Sequence, residues 1–290
     1  MRRILTIQDI SCVGRCSLTV ALPIISAAGV ECSVLPTAVL STHTAFPSYT
    51  FHDLTEELDP IADTFRDLHL NFDAIYTGYL GSFSQLDFVD RLLSRLPNHP
   101  TVIIDPVMGD HGKLYAGFTP EFAEKMATLC RHADLLLPNM TEAAYLLNEP
   151  YREDYDETYL QQILKKLTSL GAKRVALTGI SLKPDEIGYY FYDAVKEDFS
   201  YYSNEKLPVV FHGTGDIFAS AVTGAYIRGM SFPDALSLAV DFTLASARAT
   251  MLDPDARDYG VNFEEALPLL IERLQKGLYY ARTDNESTGA

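Results

Sequence analysis

The chain has 290 residues, 47% of them hydrophobic, and a formal net charge of −16. Such an acidic surplus argues against a nucleic-acid partner, because phosphate backbones are bound by clustered Lys and Arg. It also means that a polyanionic substrate must be held by local donors and a metal, not by the overall field.

Short apolar runs alternate with longer stretches of helical spacing from the start of the chain. Residues 4–7 read as a strand, 17–28 as a helix, 32–35 as a strand and 54–68 as a helix. Strands at 74–76, 102–104, 135–137 and 175–177 then interleave with helices at 85–96, 120–130 and 158–170. This alternation implies an α/β protein whose mostly parallel sheet is covered on both faces. The rhythm changes at residues 187–192 and 198–202, two Tyr-rich runs expected to pair antiparallel. Helices at 216–228, 233–251 and 263–276 follow. No linker or repeat interrupts the sequence, so residues 1–281 are expected to form one domain, with a polar, frayed tail over 282–290.

No signal-peptide core develops at the N-terminus, and no apolar run approaches the roughly 20 residues of a membrane span. Cys12, Cys16, Cys32 and Cys130 lack CxxC spacing and read as reduced thiols, which points to the cytoplasm.

The densest chemistry lies at Phe211-His212-Gly213-Thr214-Gly215-Asp216-Ile217. Two glycines let the backbone come close to a ligand. The helix that follows aims unpaired N–H groups and a partial positive charge at that spot, which suits a phosphate oxyanion. Asp216 adds a proton acceptor beside it. Transfer of a phosphoryl group to an alcohol needs this pairing. Taken alone, the same residues would also serve as an ordinary helix start with Asp216 as a first-turn acid.

In a parallel sheet, ligands lie beyond the carboxyl ends of the strands. Asp9 and Ser11 follow the first predicted strand, Thr44 lies beyond the second, and Thr77-Gly78-Tyr79 follow the third. Hydroxyls, an amide and a tyrosine ring suit a small polar aromatic or a sugar. Asp105, Asp110, Asn139 and Glu142 follow the next two strands, and hard oxygen donors of this kind suit magnesium with retained waters. Thr178 follows the sixth and, with Gly213, Thr214 and Gly215, offers uncharged phosphate contacts. His43 reads more simply as a hydrogen-bonded structural imidazole than as a catalyst.

In order and spacing these pieces resemble the ribokinase superfamily, and within it the pyridoxal kinases. The resemblance rests on Ile7-Gln8, Ser41-Thr42-His43-Thr44, Thr77-Gly78-Tyr79-Leu80-Gly81-Ser82 and Asp105-Pro106-Val107-Met108-Gly109-Asp110. Pro138-Asn139-Met140-Thr141-Glu142, Thr178 and Gly213-Thr214-Gly215-Asp216 complete it. It implies a ribokinase-like three-layer sandwich that phosphorylates the 5′-hydroxymethyl group of pyridoxal, pyridoxine or pyridoxamine with ATP. In that reading Asp216 is the base and the amides of residues 213–216 form the anion hole. Asp105, Asp110 and Glu142 form the magnesium network, and potassium is expected as a further cation. Asp9, Ser11, Thr44 and Tyr79 fall in the pyridine pocket. Asn139 and Thr178 lie beside ATP, with Phe242 near adenine. A homodimer is implied by the resemblance alone.

The match departs at Asp9, where many pyridoxal kinases place serine directly after the Ile-Gln pair. Alignment needs a one-residue gap there, which leaves either Asp9 or Ser11 to meet the ring. An aspartate would favour an amine or a protonated ring nitrogen. A hydroxymethylpyrimidine kinase of thiamine biosynthesis, or a non-catalytic vitamer-binding protein, remain the alternatives.

Overall fold

The computed structural model describes residues 1–287 apart from Ala45, Pro97 and Asp258, with side chains described as far as Lys276. Its centre is a nine-stranded sheet. The strands are β1 (Arg3–Val13), β2 (Glu31–Thr42), β3 (Phe51–Asp53), β4 (Ala74–Thr77) and β5 (Thr101–Ile104). A small separate hairpin follows, β6 (Gly109–Asp110) with β7 (Lys113–Leu114), before β8 (Leu135–Leu136), β9 (Arg174–Ile180), β10 (Glu186–Asp193) and β11 (Asp198–Glu205). The spatial order is β11-β10-β9-β8-β5-β4-β1-β2-β3. Six neighbouring strands, β9-β8-β5-β4-β1-β2, run parallel, while β3, β10 and β11 join antiparallel at the edges.

Successive side chains of a strand point to opposite faces, and this divides the core in two. Ile4, Tyr76, Ile103 and Ala176 pack on one face with helices α1 (Leu18–Ala27), α7 (Thr214–Ile227), α8 (Phe232–Leu252) and α9 (Phe263–Ser287). Leu5, Ile75, Ile104 and Leu177 pack on the other with α2 (Thr55–Asp67), α3 (Phe83–Arg95), α4 (Pro120–Leu129), α5 (Met140–Leu146) and α6 (Glu157–Thr168). The result is the expected three-layer α/β sandwich.

Three features depart from the sequence reading. β1 and β2 run well past their apolar runs, pairing as far as Val13 with Thr42 across a register shift between Gln8 and Ile10. Backbone pairing is indifferent to side-chain polarity, so polar Gln8, Asp9 and Ser11 are carried inside the strand and buried. Residues 282–287, expected in a polar tail, lie in α9; 288–290 lie outside the described residues. Finally, α8 has the length and composition to cross a bilayer, contrary to the expectation that no stretch comes close. Its Ala235, Leu236, Leu238 and Phe242 are instead buried in the core.

Candidate active site

The site is built where α7 begins. Gly213 is its N-cap at φ 78°, and no side-chain hydrogen bond caps this terminus among the described residues. A Cβ at Gly213 would lie 2.0 Å from the carbonyl oxygen of Arg15, so both the dihedral and the close approach demand glycine. A Cβ at Gly215 would meet nothing within 4 Å, because that residue faces open space. The space is a cavity of about 130 Å³, large enough for a tetrahedral anion. Gly213, Gly215 and Asp216 line one side of it; Asp105, Asn139, Glu142 and Thr178 line the other. The main chain thus presents the amide end of a 14-residue helix to a small polar hollow.

Asp216 lies in the first turn of α7. Burial pushes its carboxyl up to about 6; the backbone N–H of Ser17 pulls the other way, and the negative charge of Asp9 adds to the rise. A carboxylate so placed is ionised at neutral pH, yet basic enough to accept a proton.

Asp105 follows β5 and is 7% exposed. Burial, then the charges of Glu142 and Asp216, hold its carboxyl well above the ordinary range. Glu142 sits in the first turn of α5, where it and Asn139 form a reciprocal capping box. The amide of Met108 donates to its Oε1 at 3.1 Å and that of Asn139 to its Oε2 at 2.9 Å. Burial nonetheless raises it to about 8, against those two N–H groups. Asn139 spends its own amide on the backbone, accepting from Glu142 N–H at 2.9 Å and donating to the Gly109 carbonyl at 2.8 Å. Asp105 and Glu142 are therefore two buried acids facing one hollow, a donor pair suited to a hard cation that keeps some of its water. Asp110 is placed differently. It is exposed on β6, where its carboxylate accepts from the His111 amide at 2.8 Å, and it does not line the cavity. Among the described residues no three His, Cys, Asp or Glu side chains converge as a closed metal site.

Of the residues expected on the substrate side, Asp9 and Ser11 lie in β1 and Tyr79 follows the neighbouring β4. Asp9 and Ser11 are both buried, and Ser11 Oγ donates to Asp9 Oδ2 at 3.2 Å. Two residues apart on one strand, they share a face. Tyr79 is half-buried, its ring 5.5 Å from that of Phe118, and its hydroxyl is pushed up to about 12 by burial and then by the charge of Asp9. Thr44 is exposed on the loop after β2. Thr214 turns its hydroxyl back to the Phe211 carbonyl at 3.4 Å.

Phe242 requires a correction. The ring, on α8, is fully buried in the apolar core and so offers no surface to adenine. The sequence reading also missed three residues. Tyr115, in the stretch after the β6–β7 hairpin, lines the cavity. Ser17 supplies the amide that faces Asp216, although its sequence signal is only that of a helix start. Gln85 donates from Nε2 to the Thr37 carbonyl at 3.0 Å and to Asp53 Oδ1 at 3.2 Å, tying β3 to the sheet edge. No local pattern marks such a long-range tie.

The family model described as phosphomethylpyrimidine kinase matches residues 22–260. A pyridoxal kinase of Arabidopsis thaliana is 27% identical over 86% of this chain and 81% of its own length. One from Dictyostelium discoideum is 27% identical over 78% of each. A Bacteroides thetaiotaomicron protein provisionally named phosphomethylpyrimidine kinase, crystallised with pyridoxal, is 38% identical and superposes with a TM-score of 0.87 over 93% of this chain and 95% of that one. The pyridoxal kinase of Lactobacillus plantarum is 30% identical, with a TM-score of 0.86 over 94% of this chain and 97% of that one. By the match over residues 22–260 and by these relatives, this chain belongs to the phosphomethylpyrimidine kinase family and, within the ribokinase superfamily, to its pyridoxal kinases.

Proposed function

We propose that this kinase transfers the γ-phosphoryl group of ATP to the 5′-hydroxymethyl oxygen of a B6 vitamer, with Asp216 as general base. One observation carries the reading. Asp216 and the uncapped amide end of α7 line the same small cavity.

An alcohol is a poor nucleophile at neutral pH, but the phosphoryl transition state is loose, so the proton can leave late. Asp216 accepts it as the oxygen–phosphorus bond forms and the bond to the ADP oxygen breaks. The amides at residues 213–216 hold the equatorial oxygens of the migrating group, where preorganised dipoles need no rearrangement. Asp105 and Glu142 would hold magnesium, whose charge offsets that of the phosphate oxygens. Asp110 would reach that network only from outside the cavity. Thr178 and Asn139 flank the ATP phosphates from β9 and the cap of α5. Tyr79 gives the vitamer ring a flat contact, and Asp9 and Ser11 give it polar ones. Thr44, exposed beyond this group, is left out of the proposal. Potassium activation, a homodimer and a cytoplasmic location complete it, the last in keeping with four free cysteines.

A second reading, hydroxymethylpyrimidine as acceptor, is favoured by the matching family's own description. ADP release, coupled to a detection enzyme, should be measured with pyridoxal, pyridoxamine, hydroxymethylpyrimidine and ribose, each with and without potassium. Turnover on the vitamers is expected. Turnover on the pyrimidine alone would overturn the acceptor, and none on any substrate would leave a binding protein.

A further inference from the structure

Asp9 is a buried acid without a cation. It is 4% exposed, and its hydrogen-bond partners are uncharged: Ser11 Oγ at 3.2 Å, the Ser17 side chain and its own backbone N–H. Among the described residues no Lys, Arg or His nitrogen lies within 4.0 Å of it, whereas Asp73, Asp134 and Asp193 each have one. Arg15, a nearby cation in sequence, is turned away to Asn262 and to Glu264 at 3.3 Å. Asp53, the other acid that acts on Tyr79, already accepts from the Thr55 amide at 2.7 Å and from Gln85. Charges left alone at such depth are costly, and proteins retain them where a partner of opposite sign arrives.

The position of Asp9 says where that partner comes from. β1 and β4 lie side by side with Ile7 opposite Thr77, which brings Asp9 level with Tyr79 two residues further on. Ser17 links it to the base, meeting Asp9 with its side chain and Asp216 with its backbone N–H. Asp9 is thus close to both the ring surface and the base, where an acceptor must sit for its hydroxymethyl oxygen to reach Asp216.

We propose that Asp9 determines acceptor specificity by pairing with the exocyclic ammonium group of pyridoxamine. This rests on the functional reading above. An aliphatic amine carries a full charge at neutral pH, as lysine does. The corresponding substituent is an uncharged hydroxymethyl in pyridoxine, and the conjugated amino group of hydroxymethylpyrimidine is neutral as well. A charge-assisted hydrogen bond at a dry site then separates these acceptors, where ring stacking treats them alike.

The test compares kcat/KM for pyridoxamine and pyridoxine in the wild type and in Asp9→Asn, which keeps the shape and removes the charge. Calorimetric Kd values for the two vitamers without ATP give a readout free of chemistry. The wild type should favour pyridoxamine by about tenfold or more, and Asp9→Asn should lose that preference in both measurements. An unchanged ratio, or equal losses for both vitamers, would overturn the proposal. Should Asp9→Asn fail to fold, Asp9→Ser, which installs the residue many pyridoxal kinases carry here, makes the same prediction. If the wild type binds vitamers without phosphorylating them, the kinase reading fails while the Kd ratio still decides the role of Asp9; if it binds neither, both fail.

Discussion

The two ends of the cleft are built on different principles. At the phosphate end, the groups come from short loops and first helical turns: Gly213 and Asp216 at α7, Asn139 and Glu142 at α5, Asp105 just after β5. On the proposed assignment backbone amides do most of the holding there, and each carboxylate is positioned by main-chain geometry. At the acceptor end, the groups lie along an extended strand and the loops beside it, with Asp9 and Ser11 inside β1 and Tyr79 after β4. On the proposed assignment, side chains do the holding there. The contrast then makes the reaction type a property of backbone geometry and the choice of acceptor a property of exchangeable side chains.

Substitutions can break this division, beginning with the largest effect. Asp216→Asn should lower kcat by about 10²–10⁴-fold while vitamer binding changes little; near-normal turnover in a folded variant would remove Asp216 as the base. The same variant has a stability signature. The folded pKa of about 6 lies above the ordinary 3.8, so the protonated form is favoured in the fold. That favourable contribution is complete below about pH 4 and is lost as pH rises through about 6. Asp216→Asn should therefore raise Tm at pH 8, by about 2–4 °C for each 1 kcal/mol recovered, and leave it unchanged at pH 4. Equal shifts at both pH values would mean that the carboxyl is not perturbed.

Gly213→Ala comes next. Its Cβ would collide with the Arg15 carbonyl at a φ of 78°, which costs about 1–3 kcal/mol of stability. Where the variant still folds, displaced amides should reduce kcat by about 10²-fold with a much smaller change in the KM for the vitamer. A KM effect without a kcat effect would move the anion seat elsewhere. Tyr79→Leu should be the mildest. Loss of the flat ring surface should raise the vitamer KM about three- to tenfold, with kcat within about twofold. A kcat collapse there would erase the distinction between the two ends.

The sequence reading named most of the residues that line the cavity, because glycine and aspartate at a helix start and polar residues after parallel strands act locally. It reached Asn139 and Glu142 as polar residues after a strand; the reciprocal capping box that fixes them emerged only from the structure. It placed Asp110 with them as the end of the Asp105–Asp110 motif; that side chain is exposed on β6 and outside the cavity lining, although its charge acts on Glu142. It assigned Phe242 to adenine, although an aromatic on a long apolar helix reads equally well as core, and burial decides for the core. At the acceptor end it left Asp9 and Ser11 as alternatives to be separated by an alignment gap. The strand makes them hydrogen-bonded neighbours, so the two alternatives do not exclude each other.

Composition and pattern alone determined that alternating strands and helices would make a covered parallel sheet, and that a glycine-rich turn with an acid would stand at a helix N-terminus. Those are consequences of periodicity and backbone dihedrals, which a chain carries in its local order. Tertiary structure decided how far β1 and β2 extend, which acids remain buried without a cation, and that Gln85 ties β3 to the sheet edge. Pairing, burial and solvation depend on residues far apart in the chain, and no short stretch of sequence contains them.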